Sequence, residues 1–178
     1  MVILDFFKNA LNLKNISRQG WIDKLSIEHP ESVADHSYSM AIMAMVVSDL
    51  ENYDSEKILK MVLLHDLAES HIGDYTPGQI SKKNKLKIEN DAFSKIIDTL
   101  PGTIKSQYEG IWNEYQTHTS PESQIVHQID RLEMALQAKM YQKSGSSKEN
   151  ISTFLETAKS DSTHPKIKEL FTKIIEDN

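Results

Sequence analysis

The chain has 178 residues, a length that fits one domain with a sizeable buried core. Acidic side chains outnumber basic ones by 26 to 20, and the net charge of −6 argues against a binder of nucleic-acid polymers or of anionic membranes. Because cysteine is absent, disulfides, thiolate metal ligands and cysteine nucleophiles are excluded. Six glycines and five prolines are few for this length, so the composition favours helices.

Apolar residues recur at helical spacing along most of the chain, beginning with a stripe of Leu4, Phe7 and Leu11. Serine, aspartate and proline mark several helix starts, and glycine marks helix ends. No segment alternates with the period of a strand. The predicted helices cover 2–14, 32–50, 54–73, 82–100, 104–115, 120–140, 148–159 and 165–176, with a serine-rich break at 144–147. The sequence therefore predicts one all-α domain over residues 1–178.

Hydrophobicity and the N-terminus bear on location. The longest apolar run, Met40 to Val47, has eight residues, far fewer than the roughly 20 that a helix needs to cross a bilayer. The N-terminus carries Asp5 and shows neither a basic region nor the cleavage site of a signal peptide. We therefore expect a cytoplasmic protein with no membrane partner.

A set of histidines and aspartates falls on apolar stretches of three predicted helices. The pair His65-Asp66 follows the segment 61–64, which is expected to be buried and where an unpaired charge is costly. A bound cation would remove that cost. His36 and Asp130 are likewise flanked by apolar residues. Two imidazoles and two carboxylates form a ligand set that suits Mn, Co, Fe, Ni or Zn better than Mg.

Each of these residues also has an ordinary structural interpretation. A lone His36 in a first helical turn is more often a capping or core histidine, and Asp130 beside an arginine suits a surface ion pair. Glu69 lies one turn after His65, on the same side of the predicted helix, where a solvated residue is common. Asp74 follows a glycine and suits a plain turn. Taken singly these interpretations prevail, but the order and spacing of the set favour a site.

The order His36, His65-Asp66, Asp130 resembles the H…HD…D pattern of the HD-domain metal-dependent phosphohydrolases. Five surrounding segments narrow the resemblance to the 5′-deoxynucleotidase branch of that family. These segments are RQGW at 18–21, ESVADH at 31–36, HDLAE at 65–69, GD at 73–74 and QIDRLE at 128–133. The resemblance covers about residues 4–143, and the C-terminal helices at about 148–176 add little to it.

This resemblance implies a helical HD fold, usually a homodimer, that hydrolyses deoxynucleoside 5′-monophosphates to deoxynucleoside and phosphate. It also implies one divalent transition metal ion per subunit, with Mn, Co, Fe, Ni and Zn all open. The residues that would hold the ion are His36, His65, Asp66 and Asp130.

The resemblance also implies the residues that act on the substrate. Arg18 would contact the phosphate, and Trp21 would contribute to substrate binding. Glu69 and Asp74 would belong to the catalytic machinery, where either could orient the water or protonate the leaving 5′-oxygen. In the bacterial pattern the arginine and tryptophan are adjacent, whereas here two residues separate Arg18 from Trp21.

Two other hypotheses remain open. The first is a dinuclear HD phosphodiesterase that acts on cyclic or polyphosphorylated nucleotides, with His71, His118 or His127 as additional metal ligands. The second is a protein without catalytic activity that binds nucleotides and keeps the metal for stability. The joint presence of Glu69, Asp74 and Arg18 argues against the second, because stability alone would not require all three.

Overall fold

The structure of the protein, a computed structural model, describes residues 3–145 and 148–177, and helices are the main elements of this part of the chain. Within these ranges there is no β-sheet, and only two isolated bridges occur, Ser17 with Ser32 and Pro77 with Ile80. The helices are α1 (Ile3–Asn12), α2 (Gln19–Leu25), α3 (Val33–Glu51), α4 (Ser55–Leu64), α5 (Glu69–Ile72), α6 (Lys82–Ile97), α7 (Gly102–Thr117), α8 (Pro121–Lys143), α9 (Lys148–Asp161) and α10 (Pro165–Glu176). The prediction of an all-α fold is confirmed.

The helix starts follow the local chemistry that the sequence predicts. The Ser32 side chain accepts a hydrogen bond from the Asp35 amide, and the Asp35 carboxylate accepts one from the Ser32 amide. This capping box satisfies amides that would otherwise lack partners in the first turn of α3. Asp54 caps α4 by accepting a hydrogen bond from the Lys57 amide, and Ser120 forms a second capping box with Ser123 at the start of α8, ahead of a proline.

One predicted helix is interrupted at the residues of greatest interest. The segment 54–73 was expected to be continuous, but α4 ends at Leu64 and α5 begins only at Glu69. Between them the chain tightens into turns, in which Leu67 donates to Leu64 and Glu69 donates to Asp66. The His65 ring also bonds to the carbonyl of Val62 at 2.6 Å. Such i→i+3 bonds are typical of a helix that tightens near a functional position.

Two further differences concern the N-terminal region. The short helix α2 was not predicted; it ends at Leu25, and the next residue, Ser26, adopts a left-handed conformation with φ of 55°. The stripe of Leu4, Phe7 and Leu11 on α1 remains exposed, while the neighbouring Phe6 packs against the core and lies near Tyr108. Helical spacing therefore predicts α1 but not the side on which it packs.

Helix α8 is central to the fold, since it packs against α3, α4, α7, α9 and α10. The α4–α5 turn and the start of α3 meet α8 near its middle, and this meeting point positions the candidate site. The break at Ser146 and Ser147 lies outside the described residues. The single-domain organisation stays a prediction. No described helix is both long and apolar enough to cross a membrane.

Candidate metal centre and cavity

Ligand atoms of His36, His65 and Asp66 lie within 4.8 Å of one another at the meeting point, and Asp130 adjoins this group through His36. The Nε2 atom of His65 lies 3.1 Å from Oδ2 of Asp66. The Nε2 atom of His36 lies 4.0 Å from the same Asp66 oxygen and 3.3 Å from Oδ1 of Asp130. Two ligands about 2.1 Å from one ion lie no more than about 4.2 Å apart. The spacing therefore fits a single metal ion.

The other ring nitrogens determine which atoms face this point. The Nδ1 atom of His36 is 2.6 Å from a carboxylate oxygen of Glu133, and that of His65 is 2.6 Å from the Val62 carbonyl oxygen. Both neighbours can only accept, so each Nδ1 carries a proton, and each Nε2 is the atom left to face the aspartates and to bind a metal ion. Neither Nε2 atom has a hydrogen-bond partner among the described residues, and both are buried. Buried imidazole nitrogens that face carboxylates need a positive charge between them, which a proton or a metal ion supplies, so the residues fit a metal ion.

Electrostatics keeps the two carboxylates ionised. Burial raises the pKa of Asp66, but the charges of His65, Arg18 and His36 lower it well below the usual range. Burial also raises the pKa of Asp130, but the contact with His36 outweighs this effect and lowers that pKa to about 2. For His36 burial has the opposite sign and lowers the pKa, but the carboxylates of Asp130 and Glu133 raise it to about 10. Asp66 and Asp130 are therefore ionised at neutral pH and can pair with a cation.

Arg18 lies directly beside the proposed ligands. Its Nη1 atom is 3.3 Å from Oδ2 of Asp66, and its side chain is largely buried. Although burial lowers the pKa of Arg18, the carboxylates of Asp66, Asp130 and Asp74 raise it further above its ordinary value. The guanidinium is therefore charged and lines the same cavity as the carboxylates.

The two predicted catalytic carboxylates differ in their surroundings. Glu69 is only 3% exposed, and its Oε2 atom has no hydrogen-bond partner within the described chain. Burial, together with the charges of Asp66 and Asp74, raises the pKa of Glu69 well above its ordinary value. Asp74 instead accepts a hydrogen bond from the Gln19 amide at 2.9 Å, which attaches it to the start of α2. Glu69 therefore has a buried oxygen without a hydrogen-bond partner in the described chain, whereas one oxygen of Asp74 is bonded to the backbone.

All of these groups except His36 line a cavity of about 720 Å³. Trp21 also lines it, but the indole is buried and donates its N–H to Glu31 at 2.8 Å. The Trp21 ring packs edge-on against Tyr141. Leu25, Met134, Ala138 and Ile151 are among the apolar residues that line the same cavity. The cavity is large enough for a small ligand.

The three histidines of the dinuclear hypothesis do not join the cluster. His71 is exposed and its Nε2 atom bonds to Asn9 at 2.9 Å. His118 is exposed and stacks on His127 at 3.6 Å. His127 does line the cavity, but its Nε2 atom bonds to the Tyr115 carbonyl at 3.0 Å. Burial lowers the pKa of His127 to about 4.

Sequence reasoning assigned no role to two residues at this site. Glu133 belongs to the QIDRLE segment and lies three residues after Asp130, a spacing that would have placed it on the same helix face. The Tyr115 ring stacks on His127 at 4.1 Å and meets His65 edge-on at 5.7 Å. Tyr115 lines the same cavity, and burial, with the charges of Asp130 and Asp66, raises the pKa of Tyr115. No sequence motif indicated the role of Tyr115.

The arrangement of histidine and aspartate ligands inside a helical fold is that of the HD domain, and the family model of this domain matches residues 10–171. The chain belongs to the HD-domain family.

Its relatives include the Dictyostelium discoideum protein named 5′-deoxynucleotidase HDDC2, which is 36% identical over 98% of this chain and 97% of its own length. The Homo sapiens protein of the same name is 33% identical over 97% of this chain and 84% of its own length. Among solved structures, a Pyrococcus horikoshii protein superimposes with a TM-score of 0.73 at 31% identity, covering 97% of this chain and 98% of that one.

Proposed function

We propose that this protein is a metal-dependent phosphohydrolase that releases phosphate from deoxynucleoside 5′-monophosphates. The proposal rests mainly on one observation. The buried Nε2 atoms of His36 and His65 face the carboxylates of Asp130 and Asp66, and the charged Arg18 lines the adjacent cavity. The names of the D. discoideum and human relatives support the same activity.

Four residues would hold the ion: His36, His65, Asp66 and Asp130. When bound, a divalent ion supplies positive charge against the phosphoryl group and lowers the pKa of the attacking water. We propose one transition ion per subunit, because His71, His118 and His127 lie outside the cluster. Mn, Co, Fe, Ni and Zn all suit the ligand set. If elemental analysis finds two ions per subunit, this stoichiometry is wrong, and Glu69 and Asp74 become candidate ligands of the second ion.

The remaining charged groups divide the work on the substrate. Arg18 binds phosphate oxygens, for which its planar guanidinium offers paired donors. Glu69 holds the attacking water and accepts its proton, because Glu69 lines the cavity and its buried Oε2 atom has no hydrogen-bond partner in the described chain. Asp74 is attached to the Gln19 amide and acts on the leaving 5′-oxygen or positions α2.

A monoester suits this geometry better than a diester. A terminal phosphate can contact both the metal centre and Arg18 with its free oxygens, whereas a diester carries less charge and needs space on two sides. Trp21 and the apolar residues of the cavity, including Leu25 and Met134, would contact the nucleoside.

We also propose that the protein is a homodimer located in the cytoplasm. An exposed apolar surface on α3 and α8 supports the dimer, beside a groove of about 480 Å³ between α3, α8 and α10. Its exposed residues are Tyr38, Ile42, Met45, Val46, Leu136 and Met140. Such a patch is typical of protein interfaces. Sedimentation equilibrium at micromolar concentration tests the dimer, and a monomer would contradict it.

The proposed activity is tested by a phosphate-release screen across ribo- and deoxynucleoside monophosphates and cyclic dinucleotides, each with several divalent ions. We expect deoxynucleoside 5′-monophosphates to react fastest. Faster turnover of cyclic dinucleotides would favour the phosphodiesterase hypothesis. Tight binding of a deoxynucleotide at full metal occupancy, without phosphate release, would favour the hypothesis of a protein that only binds.

A further inference from the structure

On the Nδ1 side of His36 lies an acidic pair formed by Glu31 and Glu133. An oxygen of each carboxylate and a nitrogen of His36 all lie within 4.8 Å of one another. Glu133 is 2% exposed, and its Oε2 atom is 2.6 Å from Nδ1 of His36. A buried carboxylate is costly unless it is paired or hydrogen-bonded, so this contact accounts for its presence in the core.

One helix supplies the groups on both sides of the ring. Asp130 and Glu133 are three residues apart on α8 and therefore project from the same face. Asp130 lies 3.3 Å from Nε2 of His36, and Glu133 lies 2.6 Å from Nδ1. The imidazole is thus held between two carboxylates of α8, which fixes its orientation.

Glu31 occupies the other half of the acidic pair and is fixed by different contacts. Its carboxylate accepts the indole N–H of Trp21, and its amide donates to the Tyr141 hydroxyl at 2.9 Å. Burial and the neighbouring Glu133 raise the pKa of Glu31 to about 7. Glu31 therefore contacts the wall of the cavity, whereas Glu133 contacts the ring of the proposed ligand.

We propose that Glu133 is a positioning residue of the metal centre: its carboxylate accepts a hydrogen bond from the Nδ1–H group of His36 and so orients Nε2 toward the ion. A carboxylate in this place fixes the tautomer and raises the basicity of the ligand. Loss of such a group lowers metal affinity by about 10- to 100-fold in other metal sites. This inference rests on the proposed function, because it takes His36 as a metal ligand.

The test measures Mn²⁺ binding to metal-free protein, with free Mn²⁺ followed by its electron paramagnetic resonance signal. Glu133→Gln keeps the shape and removes the charge, and we expect Kd to rise about tenfold. Glu133→Met also removes the acceptor, and we expect a rise of up to about 100-fold. The matched control is Glu122→Gln, which makes the same chemical change on the same helix but breaks an ion pair with Lys57, and we expect its Kd to stay within about twofold of wild type.

Circular dichroism melting of each metal-free variant separates this role from a structural one. A purely structural role lowers the melting temperature but leaves Kd of the folded protein unchanged, and that result in Glu133→Gln would overturn the inference. If the Glu133→Met variant fails to fold, the Glu133→Gln variant still decides. If the wild-type protein itself fails to bind Mn²⁺, the proposed metal site is wrong; if it binds while both variants match it, only the role of Glu133 is wrong.

Discussion

The proposed metal centre has two halves that are built in different ways. In one half, His36 on α3 meets Asp130 and Glu133 on α8, and the contacting residues His36 and Glu133 are 97 positions apart in the sequence. In the other half, His65, Asp66 and Glu69 lie within a single turn between α4 and α5. The first half depends on how two long helices pack, whereas the second depends on local backbone geometry.

The outer contacts of the two histidines repeat this difference. His36 bonds through Nδ1 to a buried carboxylate, and His65 bonds through Nδ1 to the neutral carbonyl of Val62. A carboxylate raises ligand basicity more than a backbone carbonyl does. A substitution of Glu133 can therefore weaken the α3–α8 half without changing a metal ligand. The Nδ1 contact of His65 can be altered only by changing the backbone at Val62 or His65 itself.

Asp66 joins the two halves, so its replacement has the largest expected effect. One of its oxygens lies near both Nε2 atoms and near Nη1 of Arg18. We expect Asp66→Ala to lose the metal by elemental analysis and to reduce kcat/KM by about 10⁴-fold or more, since a bound ion supplies several kcal/mol of stabilisation. The control is Asp91→Ala, which removes an exposed carboxylate from α6. Full metal occupancy in Asp66→Ala would refute the ligand assignment.

The same variant tests whether metal binding stabilises the fold. At a metal concentration 100 times Kd, wild-type protein should gain about 2.7 kcal/mol. For a domain of this size, that gain raises Tm by about 5–10 °C. Differential scanning calorimetry with and without a chelator should show this shift in wild type and in Asp91→Ala, but not in Asp66→Ala.

Replacement of Glu69, in the half of the centre at the α4–α5 turn, should reduce catalysis without affecting metal binding. An amide of the same shape cannot accept the proton of the attacking water, so Glu69→Gln should lower turnover by a factor on the order of 10² to 10⁴. The metal content, the fold and KM should stay close to those of wild type. Steady-state kinetics with parallel metal analysis checks this, with the exposed Glu56→Gln as a control on α4. Turnover near that of wild type would reject the catalytic role, and loss of metal would make Glu69 a ligand.

Arg18 provides a smaller test, because it contacts the centre without being a proposed ligand. Charge-assisted hydrogen bonds contribute about 1.5–3 kcal/mol, so Arg18→Ala should lower kcat/KM for monophosphates by about 10- to 150-fold. The metal should remain bound, because Asp66 loses only a competing cation. Arg131→Ala is a matched control, since Arg131 is the only other arginine in the sequence and pairs with Asp161 at the surface. Equal efficiencies in the two variants would remove Arg18 from phosphate binding.

Features that depend on residues close together in the chain could be predicted from the sequence. The helix starts at Ser32, Asp54 and Ser120 were predicted correctly, because capping depends on neighbours three residues away. The proximity of Asp66 and Glu69 to His65 is local for the same reason. The meeting of α3 with α8 could be anticipated only from the order of the HD motif, since helical spacing does not determine which helices pack together.

Other features required the three-dimensional structure. The break after Leu64 was missed because the apolar pattern continues through Leu67 and hides the tightened turn. The stripe on α1 was visible, but Leu4 and Phe7 remain exposed while Phe6 packs inward. Tyr115 contacts the site through ring packing, for which the sequence offered no motif.

The smallest expected effect concerns His71, which shares the α4–α5 segment with His65 but faces away from the cavity. Its Nε2 atom bonds to Asn9 on α1, and its side chain is exposed. A second metal ion held by His71 would require this bond to break and the ring to turn into the fold. We therefore expect His71→Ala to keep the metal stoichiometry and kcat/KM within about twofold of wild type, and to change stability by no more than about 0.5 kcal/mol. Elemental analysis and urea unfolding measure both quantities, and the loss of one metal equivalent would revive the dinuclear hypothesis.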